Sequence, residues 1–149
     1  MTAYCREGSC HCGSVQFAVE FPDETLRGSR CNCSICAMKG AVMVYVPREA
    51  VAVTQGEDAL ACYSFNTGAA KHHFCKTCGI HCFHQPRSDP NLYAVNAATL
   101  QGVRPYEDFP EIPVNNGQTH QLDNGGVRLL AGSLRFTPSN DGKWPHQGW

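Results

Sequence analysis

From Ser14 to Phe21 the chain alternates, with Val15, Phe17, Val19 and Phe21 apolar and Ser14, Gln16, Ala18 and Glu20 polar or small. A period of two belongs to a strand with one face buried. Shorter runs of the same character follow. Thr25 to Arg30 predicts a second strand, and Ala41 to Val46 a third that stops at Pro47. Val51 to Thr54 and Leu60 to Phe65 predict a pair around the turn Gly56-Glu57-Asp58. Lys71 to Phe74, Ile80 to His84 and Leu92 to Val95 complete the set, with a turn-rich loop from Pro86 to Asn91. One helical turn is expected over Ser34 to Gly40, capped by Ser34 and ended by Gly40. Beyond Leu100, prolines 105, 110 and 113 and the pairs Asn116-Gly117 and Asn124-Gly125 predict long irregular connections. Such loops often cover a site on a rigid scaffold. No fixed repeat and no long amphipathic helix interrupts this pattern. The expected fold is mostly β, built of antiparallel strands, and its short edge strands are compatible with a homodimer.

Ten cysteines in 149 residues change the picture. Seven of them fall into clusters with spacing C-x-C or C-x2-C. Residues that close rarely suit a disulfide but readily share one metal ion. The N-terminus lacks the apolar stretch of a signal peptide, which points to a reducing, cytoplasmic setting and to zinc rather than disulfides. A net charge of −1 without a basic run gives no reason to expect nucleic acid or an anionic membrane. No apolar run approaches the ~20 residues that span a bilayer. The length predicts one zinc-binding domain over residues 1–149.

Cys10-His11-Cys12-Gly13 and Cys75-Lys76-Thr77-Cys78-Gly79 are two short knuckles, each closed by a glycine that permits positive φ. Together Cys10, Cys12, Cys75 and Cys78 form a natural four-thiolate structural zinc site, tying the first strand to the middle of the chain. Cys31-Asn32-Cys33-Ser34-Ile35-Cys36 differs: three thiols with no fourth ligand close behind. Catalytic zinc commonly keeps three protein ligands and one open position. A thiol entering that position would be deprotonated near neutral pH, and beside an aldehyde it would add to the carbonyl to give a hemithioacetal. The alternative is a second structural site closed by a histidine.

The motifs GSCHCGSVQF, CNCSIC and FCKTCG, in that order, resemble the glutathione-dependent formaldehyde-activating enzyme family. Tyr63-Ser64-Phe65-Asn66-Thr67, KHHFCKTCGI and Gln85-Pro86-Arg87-Ser88-Asp89-Pro90 are closest to its branch that includes centromere protein V. The resemblance covers about residues 8–110, leaving loops and tail over 111–149. It implies a β-tent fold of small antiparallel sheets pinned by zinc. It also implies a structural zinc on Cys10, Cys12, Cys75 and Cys78, and a labile, catalytic one on Cys31, Cys33 and Cys36. The activity implied is condensation of formaldehyde with glutathione, classed as a carbon–sulfur lyase.

Two zinc ions, a small thiol such as glutathione and a small aldehyde are therefore the expected cofactors and partners. The competing reading is a non-catalytic, zinc-stabilised binding module; a third is a thiol redox sensor. Glutathione is anionic, which makes Arg30 and Lys39, flanking the three-thiol cluster, the expected thiol-substrate contacts, with Arg87 next. Asn32 and Ser34 are expected to donate hydrogen bonds to a bound oxygen or to the sulfurs. His72 and His73 should face opposite sides of a strand, one of them approaching the site as ligand or general acid. His11, His81, His84, His120 and His146 are expected to be turn, strand or surface residues. Cys62 and Cys82 are expected to be buried as small hydrophobes, and Cys5 to be an inert N-terminal residue or, alternatively, a redox-active thiol. Trp144 and Trp149 would pack back on the domain or form a loose tail.

Overall fold

The structure, a computed structural model, describes residues 3–144. Among them eleven strands and one short α-helix run in the order β1 (Tyr4–Ser9), β2 (Gln16–Phe21), β3 (Gly28–Cys31), α1 (Ser34–Lys39), β4 (Met43–Pro47), β5 (Val51–Gln55), β6 (Leu60–Tyr63), β7 (Lys71–Cys75), β8 (His81–Gln85), β9 (Leu92–Asn96), β10 (Glu111–Asn115) and β11 (Leu130–Arg135). The fold is mostly β. Strands β1, β2 and β5 make one sheet; the others make an eight-stranded sheet in the order β11-β10-β3-β4-β9-β8-β7-β6. All pairings are antiparallel except β10 with β3.

The alternation of β2 does what it predicts. Phe17, Val19 and Phe21 are buried while Gln16 and Glu20 are exposed. Each such side chain contributes about 1.5–3 kcal/mol by leaving water. Phe17 meets Phe83 of β8 edge-on at 5.4 Å, so the small sheet packs directly on the large one. On β8 the residues His81, Cys82, Phe83 and His84 are all buried. That strand is covered on both faces, and alternation there says nothing about exposure.

Several expectations are corrected. The second strand is shorter, Gly28–Cys31 rather than Thr25 to Arg30, and β6 ends at Tyr63. The helix is capped by Cys33 without a side-chain bond, not by Ser34, whereas Gly40 does end it with φ 63°. The connections beyond Leu100 contain two strands. Pro113 obscures β10: it pairs with Ser133 of β11, and hydrogen bonding to β3 begins one residue later, at Val114 opposite Arg30. All six residues of β11 are exposed, so no apolar period marks it. Cys5 lies exposed on β1, a strand absent from the sequence reading. Cys62 is exposed too, because β6 is the edge of the large sheet, whereas Cys82 is buried as expected. Trp144 is exposed, and His146 and Trp149 lie outside the described residues.

Candidate active site

The two knuckles fold alike. Cys10 N–H donates to Val15 O (3.0 Å) and Cys75 N–H to Ile80 O (3.0 Å), so each loop closes over the same number of residues. Gly13 and Gly79 take φ of 79° and 75°, the left-handed backbone that lets each loop turn back. Backbone amides point at the sulfurs: Val15 N–H lies 3.3 Å from Cys10 Sγ and Thr77 N–H 3.4 Å from Cys75 Sγ. The sulfurs of Cys10 and Cys12 are 3.6 Å apart, those of Cys12 and Cys75 3.7 Å. Zinc–sulfur bonds of about 2.3 Å at tetrahedral angles require an edge of about 3.8 Å. The donor set therefore fits a tetrahedral thiolate site. Burial pushes the Cys10 thiol up to about 11, while the backbone N–H groups of Cys12 and Ile80 hold Cys78 down to about 6. His11 stays exposed in its turn.

Cys31, Cys33 and Cys36 form the second group, their sulfurs within 4.8 Å of one another. Among the described residues no fourth His, Cys, Asp or Glu joins them. Cys31 ends β3, and α1 returns Cys36 to its side. Cys33 is pulled down to about 2 by hydrogen bonds from Cys31 and Cys36, together with backbone N–H groups of Cys36 and Ile35. Cys36 is pushed up by sharing protons with Cys31 and Cys33. Three thiols this close carry one negative charge comfortably and keep the other protons until a cation arrives. Both clusters are fit to hold metal ions, and their chemistry is compatible with zinc.

The three-thiol group opens on a cavity of about 1160 Å³, whose walls include Cys31, Cys33, Ser34, Cys36, Tyr45, Phe65, His72, His84, Arg87, Gly117 and Arg128. The parallel pairing of β10 with β3 builds one wall by setting Asn115 opposite Cys31. Asn32 N–H donates to Asn115 O (3.2 Å), and Asn32 Oδ1 accepts from Gly117 N–H (2.8 Å) and Gln118 N–H (3.3 Å). The Asn32 side-chain oxygen thus ties down the wall. Gly117 lies so near the cluster that a Cβ there would overlap Cys31 Sγ and Cys33 Cβ. Gly117→Ala should consequently weaken metal binding at the three-thiol site by about ten- to a hundredfold, as loss of outer support does elsewhere. Chelator competition measures this, and unchanged affinity at the weaker site refutes the close approach.

A profile for the family described as glutathione-dependent formaldehyde-activating enzyme matches residues 5–113. The chain belongs to this family. A crystal structure of a Rhodobacter sphaeroides protein is similar, with 42% identity and a TM-score of 0.69, covering 72% of this chain and 98% of that one. A Halomonas elongata protein, provisionally named a glutathione-dependent formaldehyde-activating enzyme, is 35% identical over 80 residues, 48% of this chain. That match spans 50% of the relative's own length.

In this member of the formaldehyde-activating family, neither cation expected beside the cluster lines the cavity. The Arg30 guanidinium turns toward Gly40 at the end of α1. Lys39 is half-buried, its Nζ 2.7 Å from His72 Nδ1 and 3.4 Å from His81 Nε2. Arg87 does reach the cavity, but Asp123 takes it in a two-pronged pair at 2.8 Å. As expected, His72 and His73 part: His72 is buried at the cavity, and His73 packs on Phe83 and Tyr93. His81 and His84, expected as strand or surface residues, are buried beside His72, and His81 Nε2 lies 3.2 Å from His84 Nδ1. Burial, with the Lys39 cation, pushes His72, His81 and His84 down to about 4, 2 and 3. Burial also lowers Lys39 to about 8, against the nearby Cys36 and Cys33 side chains that raise it. At neutral pH an ammonium thus faces three neutral imidazoles. An ammonium has only donors, so His72 Nδ1 accepts and the ring proton sits on Nε2. That Nε2–H is buried without a partner among the described protein atoms. Arg128, absent from the sequence reading, lines the cavity with its Nε–H donating to Asn115 Oδ1 at 2.9 Å. It lies beyond both the family match and the recognised motifs. His120 caps a short 3-10 turn on the same rim.

Proposed function

We propose that the chain is a zinc-dependent enzyme that joins a small thiol such as glutathione to formaldehyde or a related small electrophile, or splits the product, as a carbon–sulfur lyase does. In this reading Cys10, Cys12, Cys75 and Cys78 hold a structural zinc, and Cys31, Cys33 and Cys36 hold a second, exchangeable one. The observation that carries it is the difference between the clusters: four thiols close one site, and three thiols at a cavity leave the other open. A zinc ion on the three thiolates would supply a Lewis-acidic position that favours the deprotonated thiol. In the net addition, one carbon–sulfur bond forms, the carbonyl π bond breaks, and the thiol proton ends on the oxygen. His72 lines the cavity as a neutral imidazole and is the candidate residue to face that oxygen, with Lys39 fixing its tautomer. All ten cysteines are free, which supports a reducing compartment such as the cytoplasm. The lack of a fourth ligand atom beside the three thiols, among the described residues, favours the enzyme over a closed binding module.

The test combines zinc content with product formation. Anaerobically purified protein should carry two zinc ions per chain, the weaker one lost to a mild chelator. The loaded protein should accelerate formation of the S-hydroxymethyl hemithioacetal from ¹³C-formaldehyde and glutathione, followed by NMR. A rate equal to that of buffer alone, across a panel of small aldehydes and thiols, overturns the enzyme reading in favour of the binding module.

A further inference from the structure

We infer that Arg128 is a carboxylate-binding residue that selects thiols carrying an anionic group, held in place by Asn115. The inference deepens the thiol reading and rests on it. Asn115 lies directly opposite Cys31 in the parallel β10–β3 pair, and adjacent strands run about 4.8 Å apart. Its backbone oxygen bonds Asn32 N–H inside the thiol cluster, and its side-chain oxygen holds Arg128 Nε–H at 2.9 Å. One residue thus links the guanidinium to the cluster. With Nε–H engaged, both terminal amino groups of Arg128 remain available, the fork that matches a carboxylate.

Charge balance supports the same role. Among the described residues, Arg87 on this wall is neutralised by Asp123, while no carboxylate pairs with Arg128. Tyr45, another wall residue, stands within electrostatic reach of both the Cys36 thiol and Arg128. A thiol whose sulfur sits at Cys31, Cys33 and Cys36 would present a nearby carboxylate to Arg128. A neutral thiol would leave that cation in water. Hydrogen bonds to charged groups are worth about 1.5–3 kcal/mol, and exposure of Arg128 favours the lower end, about tenfold in affinity.

The experiment is calorimetric titration of the zinc-loaded, full-length protein with 3-mercaptopropionate and with 2-mercaptoethanol, so that no turnover is required. Wild type should bind the carboxylate thiol about tenfold more tightly than the neutral one. Arg128→Gln should erase that preference while keeping zinc content and 2-mercaptoethanol affinity. Arg128→Lys should restore part of it, and Asn115→Ala should reduce it. A wild-type protein without the preference overturns the inference, as does an Arg128→Gln protein that retains it. If wild type binds neither thiol, the thiol-enzyme reading falls and this inference with it.

Discussion

Cys75→Ser should leave a chain that does not fold at 25 °C. Cys75 is fully buried, ends β7 and belongs to the four-thiol group that joins the turn after β1 to the β7–β8 turn. Structural zinc contributes about 10–16 kcal/mol of apparent binding energy in small domains. The net stability of a whole domain is about 5–15 kcal/mol. Loss of such an ion therefore removes as much as the fold has in reserve. Serine's shorter C–O bond also draws the acceptor back from Thr77 N–H, which lies 3.4 Å from Cys75 Sγ. Circular dichroism and zinc analysis on the purified variant measure this directly. A cooperative thermal transition close to that of wild type, with full metal content, would show that the four-thiol site does not hold the fold.

Cys33→Ser should do the reverse: keep the fold and lose the chemistry. The helix that follows Cys33 buries no residue, and the three thiols are only half-buried. Neither the hydrophobic core nor the first knuckle pair depends on them. Metal content should fall from two ions to one, with the thermal midpoint shifted by no more than a few degrees. Turnover should fall about a thousandfold or more, since a Lewis-acid site is worth several kcal/mol at the transition state. Zinc analysis, calorimetry and the formaldehyde assay report these independently. Two ions retained with wild-type turnover would remove Cys33 from the site.

The contrast between these variants follows from what is local in the sequence. Each knuckle is written within six residues, its cysteines, its glycine and its closing amide all neighbours, so motif and geometry agree. The three-thiol cluster is equally compact. Its surroundings are not. One of the two strands beside β10 is β3, some eighty residues away, and Pro113 hides β10 from any propensity argument. Arg128 follows a turn-rich stretch, and only its bond to Asn115 marks it. His81 and His84 sit on a strand covered on both faces, where a polar residue resembles a surface one until the neighbouring strands are placed. Lys39 was legible as a cation near the cluster. That it would turn inward to three histidines was not, because those rings come from β7 and β8.

The late position of β10 also sets an order of events during synthesis, which delivers the chain from its N-terminus at about 5–20 residues per second. All four thiols of the first site have left the ribosome once Cys78 has, before any residue of β10 has emerged. The three-thiol cluster emerges earlier still, but its wall of Asn115, Gly117 and Arg128 arrives only with the last third of the chain. A metal that locks the scaffold can thus be taken up while translation continues. The three-thiol cluster, by contrast, spends that interval as three open thiols on a nascent chain. Cells starved of zinc, or under oxidative stress, should accordingly damage this protein at Cys31, Cys33 and Cys36 during its making rather than after it.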